Sequence, residues 1–253
     1  MSKNVLITAG ASGIGKAIAE AFEKNGDSIW IVDSDGEAIE KCSNNWNKSI
    51  LDVRDEKSIL KLFEEIKLKW KGVDVLCANA GIKGPTSLIE NISLEEWKNC
   101  LDINLDGVFL FSKFVAPIMK KQKSGSIIIT SSTAGIFGFS HRSPYVTSKW
   151  GVIGLMKSLA IELGSYNIRV NAICPGSVKG KRLDKVVEDE IASKGMTREE
   201  IYNAYTAGTS MKKLIKAEDI ANMVLFLSGH GSRLVSGQVI AVDGHTEVPD
   251  PKV

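Results

Sequence analysis

Three side chains near the middle of the chain, Ser132, Tyr145 and Lys149, have the types and spacing to move a proton on and off a substrate oxygen. A phenol has a reference pKa of about 10 and shuttles protons poorly at neutral pH unless a nearby cation favours the phenolate. Lys149 stands four residues after Tyr145, so on a helix the two share one face. Ser143-Pro144 marks that helix's start, with serine as the cap and proline at the first helical position. The helix end adds partial positive charge. Ser132 can hydrogen-bond the oxygen of a carbonyl or alcohol held against the tyrosine. A Tyr-x-x-x-Lys pair alone arises by chance in roughly half of chains of this size, so its weight comes from its surroundings.

The elements that must position these groups alternate between strand and helix. Short β-branched runs predict strands at Val5–Thr8, Ser28–Asp33, Ser49–Val53, Asp74–Ala78, Gly125–Ser131, Ile168–Cys174 and Gln238–Gly244. Helical spacing of apolar residues lies between them, so the expected architecture is α/β: a doubly wound, Rossmann-like parallel sheet of about seven strands with helices on both faces. Every polar or glycine-rich motif falls at a strand's carboxyl end, where ligands gather in such sheets. Gly10 to Gly15 follow the first strand in a G-x-x-G-x-G pattern, a turn whose glycines let backbone approach a pyrophosphate at a helix start. Asp33 ends the second strand, where an acid binds ribose hydroxyls and repels a 2′-phosphate, so NAD is expected over NADP. Asn79-Ala80-Gly81 end the fourth and leave room for a flat ring.

Ser93 and Glu96 form a capping box for a long helix towards Lys121, with a kink expected around Asn104 and Gly107. The helix from Pro144 is apolar nearly all round from Trp150 to Leu163, which predicts burial against the sheet on one side and a second subunit on the other. A charged stretch of two helical patterns runs from Ser177 to Lys216, and His245 to Val253 reads as a loose tail.

The chain has 253 residues, enough for one large domain spanning 1–253. Lys and Arg total 32 against 30 Asp and Glu, a net charge of +2 that carries no electrostatic footprint for nucleic acid. Neither a signal-peptide pattern nor an apolar run of membrane-spanning length is present, so a cytoplasmic protein with no membrane partner is expected. Cys42, Cys77, Cys100 and Cys174 lack metal-ligand spacing and predict free thiols and no metal.

Taken together, these residues resemble the short-chain dehydrogenase/reductase family, from Lys3 to Gly244. The matching segments are Thr8 to Gly15, Asp52-Val53, Asn79 to Gly81, Asn104, Ser132, Tyr145-x-x-x-Lys149 and Pro175-Gly176. The resemblance implies NAD(P)-dependent oxidation of an alcohol or reduction of a carbonyl. It makes Tyr145 the acid/base, Ser132 its partner on the substrate oxygen, Lys149 the tyrosine's electrostatic partner and a ribose ligand, and Asn104 the holder of a proton-relay water. It implies cofactor contacts from Ser12, Gly13, Ile14, Asp33, Asp52, Val53, Asn79, Ala80 and Gly81, with Pro175, Gly176, Ser177 and Val178 framing the nicotinamide. A substrate lid at about 177–216 and a homotetramer are implied too. The chain departs from the family pattern at Ala9, where a glycine is usual, at Lys179-Gly180, where a threonine is usual, and at His245, where a second glycine is common.

Three functions stay open on these residues. The leading one is NAD-dependent hydride transfer from a small polar alcohol; the others are a 3-oxoacyl-[acyl-carrier-protein] reductase, which Asp33 disfavours, and a non-catalytic NAD sensor, which has no need of Asn104, Ser132, Tyr145 and Lys149. Lys179, Lys181 and Arg182 place three cations where the family's substrate lid starts, and His141 and Arg142 lie just before Tyr145. Arg182 either grips an anionic substrate group with its guanidinium fork or belongs to a solvated face balanced by Asp184, Glu188, Asp189 and Glu190.

Overall fold

The computed structural model describes residues 2–248, apart from the side chains of Ser193 and Lys194. In chain order the elements are β1 (Asn4–Thr8), α1 (Gly13–Lys24), β2 (Ser28–Asp33), α2 (Gly36–Glu40), β3 (Asn47–Ile50), α3 (Glu56–Lys69) and β4 (Val75–Ala78). There follow α4 (Leu94–Leu101), α5 (Gly107–Gln122), β5 (Gly125–Thr130), α6 (Ser143–Gly164), β6 (Ile168–Pro175), α7 (Lys181–Lys194), α8 (Arg198–Ala207), α9 (Ala217–Ser228) and β7 (Val239–Val242). All seven strands are parallel, in the order β3-β2-β1-β4-β5-β6-β7. The order reverses beside β1, so the carboxyl ends of β1 and β4 open a crevice there.

Alternation along β1 shows how the sheet is covered. Leu6 points to a core shared with Phe63, Phe111, Val152 and Met156 of α3, α5 and α6. Val5 and Ile7 point the other way, into Ile18, Phe22, Ile220 and Val224 of α1 and α9. Burial on both faces is why the strands read as continuous apolar runs rather than alternating ones.

Two details differ from expectation, at the third strand and the tail, and two give expected features their form. The third strand ends at Ile50, so Asp52 and Val53 lie in the loop beyond it, where Asp52 caps a turn by accepting from the Arg54 and Asp55 amides through its side chain and backbone. The long helix is two helices joined by a π-helical turn at Asp102–Asp106, and this extra-wide turn is the physical form of the expected kink. The tail is held at its start: Thr246 bridges to Thr209, and the Glu247 and Val248 amides donate to Gly208 O; residues 249–253 lie outside the described residues. On α6 the outward side chains are exposed in the single chain, with Trp150 51% and Ile161 84% accessible.

The segment 177–216 has a small core of its own, Leu183, Val187 and Ile201, separate from both sheet cores. Its base is clipped shut, since Lys179 N donates to Ile215 O (2.8 Å) and Ile215 N to Ser177 O (3.0 Å). No helix among the described residues is long and apolar enough to cross a membrane.

Candidate active site

The turn between β1 and α1 shows how glycine makes room. A Cβ on Gly15 would lie 2.0 Å from Ala9 O, and one on Gly10 would lie 2.6 Å from Ile31 Cγ2, so neither position tolerates a side chain without movement. Gly13 has φ +52 and faces open space. Ser12 precedes α1 without bonding its first amides through its side chain, which leaves those donors free for an anion. Ala9 has φ +49, the left-handed conformation that glycine takes at no steric cost and alanine holds at about 1 kcal/mol. The departure at Ala9 therefore keeps the backbone path and adds strain. Asp33 accepts from Ala11 N (3.1 Å) and Asp35 N (3.2 Å), tying the turn to the end of β2.

Thr8 joins β1 to β4, its Oγ1 accepting from the amides of both Asn79 and Ala80 at 2.9 Å. Asn79 Nδ2 donates back to Thr8 O and Ala9 O. Gly81 faces the catalytic groups: a Cβ there would stand 3.0 Å from Asn104 Oδ1 and 3.3 Å from Lys149 Nζ. At the other side of the crevice a Cβ on Gly176 would meet Asp243, so Pro175 and Gly176 pass close under β7, with Gly176 N donating to Val242 O. Ile14 is half-buried against the second core, Ser177 and Val178 clip to Ile215, and Val53 packs on Gly107. Asp52 stands apart from the other acids, because Arg54 grips its carboxylate through Nε and Nη2 and holds it below the usual carboxylate range.

These features form a tight glycine turn that closes on β2 and on its own backbone, open in front of Gly13 and with free amides at its head. They fit a dinucleotide with its pyrophosphate over Ser12 and Gly13.

The residues expected to be catalytic meet where β5 ends and α6 begins. Lys149 is buried and donates from Nζ to Thr130 O (2.9 Å), and its own carbonyl accepts from Ser131 Oγ (2.8 Å). This fixes the ammonium 5.8 Å from the centre of the Tyr145 ring. Ser132 accepts from Ala134 N (3.1 Å), and its hydroxyl favours the phenolate form of Tyr145. Asn104, in the π-helical turn, is wholly buried; its Oδ1 accepts from Ile82 N (2.7 Å), and its Nδ2 donates to Ile82 O (3.0 Å) and Ser148 Oγ (3.0 Å). The amide that would have destabilised a regular helix has these partners because the π turn aims it inward. Ser143, expected as the helix cap, instead forms part of α6, and its Oγ has no hydrogen-bond partner.

The electrostatics hold a surprise. Burial opposes charge on Tyr145, yet Arg182, then Lys149, the Ser132 hydroxyl and Arg142 outweigh it, so the phenol lies below its ordinary pKa. Burial draws Lys149 down as well, against the pull of Tyr145. Arg142 Cζ is 4.9 Å and Arg182 Cζ 5.6 Å from the Tyr145 ring centre. Sequence spacing drew attention to Lys149 alone as the tyrosine's electrostatic partner; the two arginines share that work. Ser148 and Thr130 went unmarked as well, and Thr8 was marked only as part of the glycine segment, because a helix serine, a backbone carbonyl and a strand-end threonine carry no distinctive signal.

A cleft of ≈ 750 Å³ beside these groups runs from Ser12 past Gly81, Lys83 and Pro85 to Asn99 and Arg182. Among the described residues no group of three His, Cys, Asp or Glu side chains is placed to hold a metal ion. All four cysteines are buried and free, and burial raises the thiol pKa of each.

A family model described as enoyl-(acyl carrier protein) reductase matches residues 8–245. A 3-oxoacyl-[acyl-carrier-protein] reductase of Thermotoga maritima is 35% identical over 249 residues, covering 96% of each chain. Among solved structures, an NAD+-bound xylitol dehydrogenase superposes with a TM-score of 0.92 at 28% identity, over 96% of this chain and 98% of that one. ElxO with NADP bound gives 0.86 at 31% identity, over 96% and 98%.

Proposed function

The chain belongs to the short-chain dehydrogenase/reductase family and is a nicotinamide-dependent alcohol/carbonyl oxidoreductase, and from that premise we propose an NAD-preferring dehydrogenase of a small polar alcohol with Tyr145 as its acid/base. The observation that carries this reading is the half-buried phenol of Tyr145, ringed by Lys149, Arg142 and Arg182 and held below its ordinary pKa. In the oxidative direction the Tyr145 phenolate takes the proton of the substrate hydroxyl, breaking that O–H bond as the phenol O–H forms. Ser132 donates to the substrate oxygen and keeps the reacting carbon in place. Lys149 holds the phenolate charge and presents its ammonium to the ribose. Asn104 acts by position, since its amide holds Ile82 and Ser148 in register around the tyrosine. The nicotinamide supplies the hydride acceptor. Gly10, Ser12, Gly13, Ile14 and Gly15 cradle the pyrophosphate; Val53, Asn79, Ala80 and Gly81 line the adenine and ribose side; Pro175, Gly176, Ser177 and Val178 frame the nicotinamide. Asp52 takes part through the loop it shapes, because Arg54 occupies its carboxylate. The segment 177–216 serves as the substrate lid, clipped at its base and packed on its own core.

Tyr145→Phe keeps the ring and removes the transferable proton, so turnover should fall by about 10²–10⁴. Cofactor binding, read by fluorescence titration, should persist. In the native enzyme alcohol oxidation should rise with pH through the Tyr145 pKa, below the ordinary phenol value, because the deprotonated form is the base. The variant should lack that rise. Near-native turnover in Tyr145→Phe would sink the mechanism.

We infer a cytoplasmic homotetramer. The exposed apolar face of α6, with Trp150 and Ile161, supports assembly, and four free buried cysteines suit a reducing compartment. A monomeric mass by light scattering at micromolar concentration would count against the assembly.

A further inference from the structure

Of the acids lining the cleft, Asp189 pairs with Lys83 and Glu96 accepts from Ser93, so neither balances the guanidinium groups beside Tyr145. Arg142 is 8% exposed, donates from Nη2 to Lys83 O (3.1 Å), and has no partner at Nε. Arg182, in the first turn of α7, reaches across the crevice to donate from Nη1 to Gly81 O (3.1 Å). Both guanidinium groups are thus fastened to one short loop, two residues apart, and both face the Tyr145 ring. Neither forms an ion pair among the described residues.

The acids that could have balanced them are engaged elsewhere. Asp184 accepts from Tyr202 Oη, Glu188 pairs with Arg198, Asp189 pairs with Lys83, and Glu190 accepts from Tyr205 Oη. A solvated face balanced by these four carboxylates is therefore not what the fold builds around Arg182. A guanidinium nine-tenths buried without a counter-charge is costly, and it is retained where a ligand completes it. An oxyanion group fits, because its oxygens accept two parallel N–H bonds from one fork.

We propose that Arg142 and Arg182 form a subsite for an oxyanion group, so that the substrate is a small alcohol carrying a carboxylate or sulfonate within a few bonds of the reacting carbon. The proposal rests on the dehydrogenase reading for the placing of that carbon at Tyr145. The close approach of both guanidinium groups to the ring sets the short separation, and a lid residue contributing one of them couples closure to the presence of the anion. A phosphate monoester shares the chemistry and is distinguished by the same measurements.

The test uses the protein saturated with NADH and reads binding by isothermal titration calorimetry. The probes are propane-1-sulfonate, butanoate and propyl phosphate, with neutral butanamide as the isostere. At least one anion should bind, butanamide should not, and Arg182→Gln should weaken the anion at least about tenfold while leaving NADH affinity within about twofold. That factor corresponds to about 1.4 kcal/mol. Arg142→Gln should do the same; should that buried change prevent folding, the exposed Arg182 variant decides. In turnover, the ratio of kcat/KM for 3-hydroxybutanoate to that for 3-hydroxybutanamide isolates the anion contact, since any change in Tyr145 affects both substrates alike. Equal binding of butanamide, no binding of any anion, or an unchanged affinity in Arg182→Gln overturns the proposal. Anion binding that depends on Arg182 in a protein that turns over no alcohol would overturn the dehydrogenase reading and leave the subsite standing. Turnover of neutral alcohols without anion binding would do the reverse.

Discussion

The two walls of the crevice are made in opposite ways. The cofactor wall, at the ends of β1, β2 and β4, is built of backbone and small side chains whose tolerances are tight: Gly10, Gly15 and Gly81 would each bring a Cβ to 3.0 Å or less from a neighbour. The wall proposed for the substrate carries long charged side chains, Lys83 and Arg182, with Arg142 tied to it through Lys83 O. The first wall stands on the sheet and its two large cores, while Arg182 of the second stands on the segment 177–216, whose own core is Leu183, Val187 and Ile201. On the proposed reading the cofactor lies on the wall whose shape is tightly fixed, and selectivity on the wall with the smaller core.

Core deletions on each side put the contrast to its strongest test. Leu76, fully buried in β4, should lose about 2–5 kcal/mol of stability as Leu76→Ala, with a matching fall in Tm. Ile201 is equally buried, yet Ile201→Ala should lower Tm less and raise the substrate KM more, because the lid can open without unfolding the sheet. Thermal denaturation beside steady-state kinetics checks both. A global Tm loss in Ile201→Ala as large as that of Leu76→Ala would mean that the lid and sheet form one cooperative unit.

A smaller effect sharpens the cofactor wall. Asp33 would set negative charge against a 2′-phosphate, so kcat/KM should favour NAD, and Asp33→Ala should narrow that preference by about tenfold. The same carboxylate accepts from Ala11 N, so the variant should also loosen the glycine turn and weaken NAD itself. A native preference for NADP would remove this role for Asp33 and favour the acyl-carrier-protein reductase reading that the Thermotoga maritima relative suggests.

The architecture was legible in the sequence because each strand is buried on both faces and each motif ends a strand. Gly13, Gly15, Ser132, Tyr145 and Lys149 could be read there, since glycine turns and an i, i+4 pair are local relationships that neighbours in the chain specify. The boundaries of β3 and the start of α6 were less legible. Asp52 gives its backbone to a turn, and Ser143 is helical rather than capping, outcomes that depend on which competing hydrogen bond wins.

What only tertiary structure decided is the charge distribution at the substrate wall. Arg182 is followed within eight residues by Asp184, Glu188, Asp189 and Glu190, and sequence proximity alone leaves it balanced by them or free of them. The fold sends those acids to Tyr202, Arg198, Lys83 and Tyr205, partners 10 to 106 residues away. It then brings Arg182 to Gly81, 101 residues distant, beside the ring of Tyr145. A helix heptad or a turn motif constrains residues a few positions apart, whereas the pairing of long charged side chains is set by which surfaces the packed helices present to one another.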